Sequence, residues 1–458
     1  MVIERSIFMR AGFCVLISSV VMILFSFSGG DGSNAQAAAN TPAASAGTPS
    51  LSLAAQVGKK LFFDQTLSGS GKMSCASCHD PNFAYGPPNN LAAQLGGPNL
   101  TDSGTRAAPS LRYQEYTPAY ADLLDNPDGI SAPGPGGGYT WDGRADTLAQ
   151  QAAIPLLDPN EMANTSSAVV VAKVQAASYV PLFLQAFGSN AFADTATAFN
   201  DVTSALQAFQ REDVSFHPFS SKFDLYAGNK IGGTLSAAET RGLKVFSDPN
   251  TGNCASCHYQ GAGLNGSSAL FTDFSYEAIG APRNAAIPAN NDPRYDDMGL
   301  CGPLRKDHQP AAPGAANRFC GMFKTPTLRN VATRKTFFHN GVMTSLEQVI
   351  RFYNTRDTNP EIWYPTLGGI AKKKNDKNFP TYGLIKRQYT GGMVQKYNDL
   401  PAAYRANIDL QMPLDGRALG SLPPMSEQNV ADLTCFLATL TDGYKPPKTA
   451  PASGACVN

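Results

Sequence analysis

The chain has 458 residues, of which 43% are hydrophobic and 16% are charged, and its formal net charge is zero. This apolar content is enough for large buried cores, and the length predicts two or more domains. The balanced charge argues against a nucleic-acid-binding protein and against a polybasic membrane-surface segment. Glycine and proline contribute 42 and 33 residues, so much of the chain is expected to form loops.

Residues 1–37 follow the pattern of a secretory signal peptide. Arg5 and Arg10 flank the start of an apolar run at 11–27, and an Ala-Gln-Ala sequence near its end offers a cleavage site. An uncleaved anchor is the alternative, because the apolar run nearly spans a bilayer. Residues 38–50 are predicted to form a flexible leader. The sequence thus predicts a periplasmic protein with no stable membrane insertion after signal cleavage.

A short helix followed by a Cys-Ala-Ser-Cys-His sequence occurs twice. The first helix contains Gly58, and the second contains Gly242 and begins with a capping box at 236–239. The last strong helix begins near Ser426. One face of that helix is apolar at helical spacing and consists of Val430, Leu433, Phe436, Leu437 and Leu440. We expect this face to pack in a core.

The Cys-Ala-Ser-Cys-His sequences at 75–79 and 254–258 are typical of covalent haem c attachment. The two thiols add to the haem vinyl groups, and the adjacent histidine binds the iron. Zinc is the main alternative, but paired zinc-binding Cys-x-x-Cys sequences usually lie about 15 to 20 residues apart, and these two are much further apart. The predicted haem-binding residues are Cys75, Cys78, His79, Cys254, Cys257 and His258.

These elements predict a mainly α fold with two cytochrome c-like haem domains and long irregular loops. We expect an N-terminal domain at 51–215, a C-terminal domain at 216–446 and a tail at 447–458. Four further cysteines lie in the mature chain, an even number that favours two disulfides in an oxidising compartment. Pairing of sequence neighbours is simplest and free buried thiols are the alternative; these residues are Cys301, Cys320, Cys435 and Cys456.

The distribution of histidines predicts that the two haems differ. The chain has five histidines, and none lies between His79 and His217. The first haem therefore lacks a local distal histidine, although a distant histidine or Met162 remains an alternative ligand. A five-coordinate iron binds peroxide, whereas a six-coordinate iron mainly transfers electrons. We expect a reactive haem at His79 and a relay haem at His258.

Glu161 and Gln151 are the candidates for peroxide chemistry in the stretch that follows the first haem sequence. Cleaving peroxide needs a base that moves a proton from the inner to the outer oxygen. Glu161 is expected to do this, with Gln151 orienting the peroxide. Taken alone, a glutamate is more often a solvated surface charge.

The chain resembles the bacterial diheme cytochrome c peroxidases and MauG, the methylamine-utilisation diheme enzyme. The resemblance covers about 52–354 and the closing helix near 426–442. The matching sequences are LFFD at 61–64, WDGRA at 141–145, the stretch at 151–162, FKTPTLRN at 323–330, FHNG at 338–341 and LEQVIRFYN at 346–354.

The resemblance implies an H2O2-dependent oxidoreductase. Its reductant would be a small cytochrome or cupredoxin, or it would be a side chain of a partner protein in a MauG-type modification. Trp141 matches the tryptophan that relays electrons between the haems. Gln151, Pro155 and Glu161 match distal residues of the peroxidatic haem, and Glu161 matches the catalytic acid–base. A diheme electron-transfer cytochrome without peroxidase chemistry is the alternative, and a homodimer stays open.

Tyr353 falls where the peroxidases place the axial methionine of the second haem and where the MauG type places an axial tyrosine. Met343 is the alternative ligand. A tyrosinate stabilises oxidised iron far better than a thioether does. A haem with axial histidine and tyrosine is therefore expected to have a low reduction potential.

The sequence also departs from the family. Many peroxidases carry a loop histidine that blocks the first haem until the second is reduced; none is present here, so we expect a constitutively open site. The family's calcium ion uses an asparagine where this chain has Ala107. Its other ligands are backbone carbonyls in a segment that is Arg334-Lys335-Thr336 here. Calcium is therefore an open alternative, not an expectation.

Overall fold

The computed structural model describes residues 50–263, 266–367 and 393–446, and Cys456. These ranges contain ten α-helices. The helices are α1 (Leu53–Phe63), α2 (Cys75–Cys78), α3 (Leu148–Leu157), α4 (Ser167–Gln175), α5 (Val180–Phe187), α6 (Thr195–Glu212), α7 (Lys222–Ala227), α8 (Ala237–Ser247), α9 (Leu346–Thr355) and α10 (Glu427–Ala438). The expected mainly α fold is confirmed.

The β-structure in the described ranges is limited to four two-stranded antiparallel ribbons. The pairs are β1 (Leu95–Gly96) with β2 (Asp102–Ser103), β3 (Ala121–Leu124) with β4 (Gly134–Gly136), β5 (Tyr276–Glu277) with β6 (Phe323–Lys324), and β7 (Thr366–Leu367) with β8 (Met393–Val394). The Pro/Gly-rich stretch at 125–138, whose composition alone predicts a loop, contains the short strand β4.

Helices α1 and α6 cross at Gly58, where only a glycine fits. A Cβ atom there would lie 1.9 Å from the carbonyl oxygen of Ala205 and 2.8 Å from the Cβ of Phe209. One turn further along α1, Phe62 packs edge-on against Phe209, with ring centroids 5.6 Å apart. The absence of a side chain at Gly58 thus lets two helix backbones come into contact.

Helices α8 and α10 cross in the same way at Gly242. A Cβ atom there would lie 2.0 Å from the carbonyl oxygen of Asp432. Phe246, one turn on, packs against Phe436 with ring centroids 5.3 Å apart. The repeated Gly-x-x-x-Phe pattern of the sequence therefore marks two similar helix crossings, each just before a Cys-Ala-Ser-Cys-His sequence.

Both predicted helix starts in the second half are confirmed. The Ser236 hydroxyl accepts from the Glu239 amide, and the Glu239 carboxylate accepts from the Ser236 amide, which completes the capping box of α8. Ser426 caps α10 by accepting from the Asn429 amide. The predicted apolar face of α10 and the residues after it is buried.

The buried apolar residues form two large clusters. The first is built mainly from α1 and α3–α6 and ends at Phe216, and the second runs from Phe223 to Leu440 and is built mainly from α8–α10. One partly buried cysteine of a Cys-Ala-Ser-Cys-His sequence packs against each cluster: Cys75 against the first and Cys254 against the second. The domain boundaries at 51–215 and 216–446 stay predictions.

Two disulfides link sequence neighbours, as the simplest pairing predicted. They join Cys301 to Cys320 and Cys435 to Cys456, with Cα atoms 4.7 and 5.2 Å apart. The predicted signal peptide and the tail at 447–458, apart from Cys456, lie outside the described residues, as does all but the last residue of the leader at 38–50.

Among the described helices, none alone has the length and apolar composition of a membrane span. The bent pair of α4 and α5 meets the length and composition together. Val170, Val174 and Phe183 of this pair are fully buried in the first cluster, so the apolar character of the pair is explained by core packing.

Candidate active site in two Cys-x-x-Cys-His cavities

The first Cys-Ala-Ser-Cys-His sequence borders a cavity of about 1570 Å³, including its mouth. Cys75 and Cys78 are the first and last residues of the single helical turn α2, and His79 follows at its C-terminal end. This turn places both thiols and the imidazole at one wall. The cavity is also bordered by Trp141, Gln151, Pro155, Glu161 and Met162.

The second sequence borders a cavity of similar volume, about 1620 Å³ including its mouth. Cys254 lies in a 3-10 turn that runs to Ser256, and Cys257 and His258 follow directly. Tyr353, in the last turns of α9, borders the same cavity. The cavity wall is mostly apolar, as expected for a site that buries a large flat ligand.

Both histidines are held in the form that binds a metal. The Nδ1 of His79 lies 3.1 Å from the carbonyl oxygen of Tyr85, and the Nδ1 of His258 lies 3.0 Å from that of Phe271. A carbonyl only accepts, so each Nδ1 donates and each Nε2 keeps its lone pair. Burial lowers the pKa of both histidines to about 4, so both imidazoles are neutral near pH 7.

The four cysteines in these sequences are free thiols. Burial raises the pKa of Cys75, Cys78 and Cys254 to about 12, and that of Cys257 well above its ordinary value. Neutral thiols beside a large apolar cavity fit addition to a haem vinyl group better than binding of zinc as thiolates. The described residues contain no cluster of three or more His, Cys, Asp and Glu that could hold a metal ion.

Gln151, Pro155 and Glu161 lie together at the wall of the first cavity. Gln151 and Pro155 are one turn apart on α3 and therefore share a face. The chain then turns after α3, with the Glu161 amide donating to the Asp158 carbonyl at 3.1 Å. This turn brings Glu161 back to the cavity that α3 borders.

The Glu161 carboxyl group has the environment of a proton-transfer residue. Burial, with a smaller contribution from Asp158, raises its pKa to about 7, and Arg144 opposes the shift. No described residue donates a hydrogen bond to the carboxylate. A group that titrates near neutral pH without a fixed partner is suited to general acid–base catalysis.

Trp141 borders both cavities. Its Nε1 donates to the Ala107 carbonyl at 2.8 Å, and the Ala107 amide donates to the His339 carbonyl at 2.7 Å. We call residues 107–109 the interhaem strip. Pro109, at its end, also borders both cavities. The indole is thus fixed by the strip that separates the two sites.

Tyr353 and Met343 are placed differently. The Tyr353 ring lies 6.0 Å from the rings of Phe338 and Phe352, between centroids, and its hydroxyl makes no hydrogen bond to the described residues. Burial raises the pKa of Tyr353 above its ordinary value. Met343 is packed in the second apolar cluster and is not among the residues that border the cavity. Its position argues for Tyr353 as the candidate ligand.

The remaining histidines do not border the first cavity. His217 contacts Glu115 at 3.1 Å, and His308 contacts Asp122 at 2.7 Å. His339 borders the second cavity, where it stacks on Phe323 with ring centroids 3.6 Å apart. Met162 does border the first cavity and remains the alternative ligand there.

Two cations at the second cavity were not singled out from the sequence. Lys324 is half-buried, and its Nζ donates to the Gly138 carbonyl at 2.6 Å. Burial lowers the pKa of Lys324 to about 7. Arg334 borders the same cavity and contacts the interhaem strip. Two features of the sequence could have pointed to these cations. Lys324 belongs to the FKTPTLRN sequence that matches the family, and Arg334 stands where the family has a threonine.

Comparison with known proteins places these features in one family. A family model described as di-haem cytochrome c peroxidase matches residues 52–231. Methylamine utilization protein MauG of Paracoccus denitrificans is 36% identical over 306 residues, covering 66% of this chain and 74% of the relative. Cytochrome c551 peroxidase of Nitrosomonas europaea is 30% identical over 306 residues, covering 66% and 73%. The crystal structure of the diheme peroxidase BthA from Burkholderia thailandensis E264 is 37% identical with a TM-score of 0.71, covering 85% and 86%.

Proposed function

The chain belongs to the family of diheme cytochrome c peroxidases and MauG, and we propose that it uses H2O2 at the His79 side of two covalently bound haems c. Its named relatives are oxidoreductases, and so is this chain. The proposal includes two cytochrome c-like haem domains, export to the periplasm and relay of oxidising equivalents through Trp141 to the His258 side.

One observation carries the proposal. Glu161, Gln151 and Pro155 border the same cavity as the first Cys-Ala-Ser-Cys-His sequence, and no other histidine borders it. A candidate acid–base residue therefore lies at the cavity in which H2O2 would bind. Among the residues that border the second cavity, Tyr353 occupies the candidate ligand position. The two sites are chemically unequal, which favours one reactive and one relay centre.

The residues present fit two haems. Cys75, Cys78 and His79 supply two neutral thiols and a free Nε2 at one cavity, and the second sequence does the same at the other. When bound, the haem supplies an iron that accepts peroxide and draws two oxidising equivalents from it. The protein's part is to hold the peroxide and to move its proton.

Glu161 and Gln151 perform that part. An ionised Glu161 carboxylate oxygen takes the proton from the inner oxygen of H2O2 and returns it to the outer oxygen, which leaves as water. The Gln151 amide orients the peroxide by hydrogen bonding. Pro155 lacks an amide hydrogen, so it presents an apolar surface to the cavity and keeps competing donors away from the reacting oxygens.

The support for Trp141 as relay is its position at both cavities and its fixed indole. The support for Tyr353 as axial ligand is a free hydroxyl at the second cavity, whereas Met343 is packed elsewhere. The electron donor is a small redox protein such as a cytochrome or cupredoxin, or the substrate is a side chain of a partner protein. The proposal includes no calcium ion. It is compatible with a monomer and with a homodimer.

Mixing the ferric holoprotein with H2O2, without prior reduction, tests the proposal. We expect an immediate change in the haem spectrum, because no histidine blocks the first cavity. A requirement for prior half-reduction would contradict the open site. Resting-state EPR separates the electron-transfer alternative, since two low-spin signals and no reaction with H2O2 would favour a carrier.

A further inference from the structure

Arg334 holds a half-buried positive charge at the interhaem strip without a carboxylate partner among the described residues. Its Nε donates to the Thr336 carbonyl at 3.1 Å, and its Nη2 donates to the Ala108 carbonyl at 3.2 Å. Burial lowers the pKa of Arg334 to about 10, so the guanidinium stays charged near pH 7. Its Nη1 makes no hydrogen bond to the described residues and still has donors to offer.

The two other cations at the second cavity already have hydrogen-bond partners. Arg329 pairs with Asp224 at 2.7 Å, and Lys324 donates to a backbone carbonyl. Glu277 and Asp409 also border the cavity, and burial, with smaller contributions from Asp409 and Asp273, raises the pKa of Glu277 to about 8. Near pH 7 the Glu277 carboxyl group is therefore neutral, and Arg334 remains a cation that can attract an anionic group in this cavity.

We propose that Arg334, which borders the second cavity, binds a propionate of the haem there through the donors that its guanidinium leaves free. The inference rests on the proposed function, because it requires a haem at Cys254, Cys257 and His258. A haem carries two propionate groups, and the arginine guanidinium is the side-chain group best suited to bind a carboxylate through two hydrogen bonds. The same side chain donates to the Ala108 carbonyl, so Arg334 links the second haem to the interhaem strip.

Arg334→Met tests the proposal, because methionine keeps much of the side-chain volume and removes the charge. The readout is the reduction potential of each haem, measured by spectroelectrochemical titration of the holoprotein. An unpaired propionate favours the ferric state, so the potential of the His258 haem should fall. We expect about a tenfold change in the ferric–ferrous equilibrium constant, which is about 59 mV for a one-electron couple.

Two further variants control the measurement. Arg334→Lys keeps the charge and loses the fork geometry, so it should recover part of the potential. Arg294→Met removes a charge whose side chain is 88% exposed and pairs with Asp292, so both potentials should stay unchanged. An equal drop in Arg294→Met, or no drop in haem-loaded Arg334→Met, would overturn the proposal.

Haem content, measured in every preparation, separates failure of this proposal from failure of the proposed function. Fewer than two haems in the wild-type protein would refute the proposed function itself. If Arg334→Met does not load haem, the proposal is tested on Arg334→Lys. The measurements are then the reduction potential and the propionate-bending band in the resonance Raman spectrum. Loss of the carboxylate–guanidinium contact should shift that band, and an unmoved band with an unchanged potential overturns the role of Arg334.

Discussion

At the scale of single residues, Glu161 is the side chain on which the proposed chemistry depends most. Glu161→Gln keeps the shape of the group and removes its ability to take a proton. We expect the rate of reaction with H2O2, followed by stopped-flow absorbance, to fall by about 10²-fold or more. The matched control is Glu427→Gln, because that carboxylate is half exposed and pairs with Arg351. An unchanged rate in Glu161→Gln would remove Glu161 from the mechanism.

The pKa of Glu161 also gives the reaction a pH dependence of defined sign. Burial raises this pKa to about 7, so the carboxyl group is ionised above that pH and neutral below it. Only the ionised form is a base, so the rate constant should rise with pH and level off above about 7. Below that, the loss should approach about tenfold per pH unit. The rate is measured from pH 5 to 9, and a profile that falls with rising pH contradicts the assignment.

Glu161, Gln151 and Trp141 could be singled out from the sequence because they belong to short segments with a fixed order and spacing. Arg334 and Lys324 could not, because an isolated cation is normally a surface residue. Their positions at the second cavity depend on contacts with Ala108 and Gly138, which lie far away in the sequence. The local sequence also does not reveal that Arg334 has no carboxylate partner among the described residues.

At the scale of helices, the two glycine crossings predict a sharp effect on stability. In Gly58→Ala the new methyl group would lie 1.9 Å from a backbone oxygen, and in Gly242→Ala it would lie 2.0 Å from one. Backbone atoms of packed helices have little room to shift, so we expect a loss of about 1–3 kcal/mol or more in the free energy of unfolding. Thermal and chemical denaturation measure it.

Gly134→Ala is the matched control for these two variants. A Cβ atom at Gly134 meets no other atom within 4 Å, and its backbone conformation is open to other residues. Its unfolding midpoint should stay close to that of the wild-type protein. Equal midpoints for all three variants would mean that the helix crossings relax without cost and that the glycines are not needed there.

Helices α8 and α10 were predictable, and the short strands were not. A capping box and a periodic apolar face define α8 and α10 locally, because each has several turns over which a pattern can repeat. Strand β4 consists of Gly134–Gly136, with a proline in its centre, and such residues are depleted in strands. It forms because β3 lies beside it, which is tertiary information.

At the scale of the whole molecule, two apolar clusters each carry one haem sequence, and the interhaem strip connects their functional residues. Ala107 bonds to Trp141 and to His339, and Ala108 bonds to Arg334. Sequence comparison within the chain indicated the duplication, because the Gly-x-x-x-Phe helix recurs. The sequence did not indicate that the backbone of residues 107–109 would contact both Trp141 and residues that border the second cavity.

The contacts of this strip predict that the protein works without calcium. Ala107 has no side-chain oxygen, its carbonyl is bonded to Trp141, and the Ala108 and Thr336 carbonyls are bonded to the Arg334 guanidinium. A divalent cation there would have to displace these donors and would be repelled by the guanidinium.

Removing divalent cations with EDTA should therefore leave the thermal midpoint and the rate of reaction with H2O2 unchanged, and adding Ca²⁺ back should have no effect. Metal analysis of the purified holoprotein should find iron without stoichiometric calcium. A bound calcium ion, or a midpoint that falls in EDTA and recovers with Ca²⁺, would contradict this prediction. Arg334 is covalently part of the chain, so the positive charge at the strip does not depend on the concentration of free cations. A bound calcium ion would be lost when the concentration of free calcium is low.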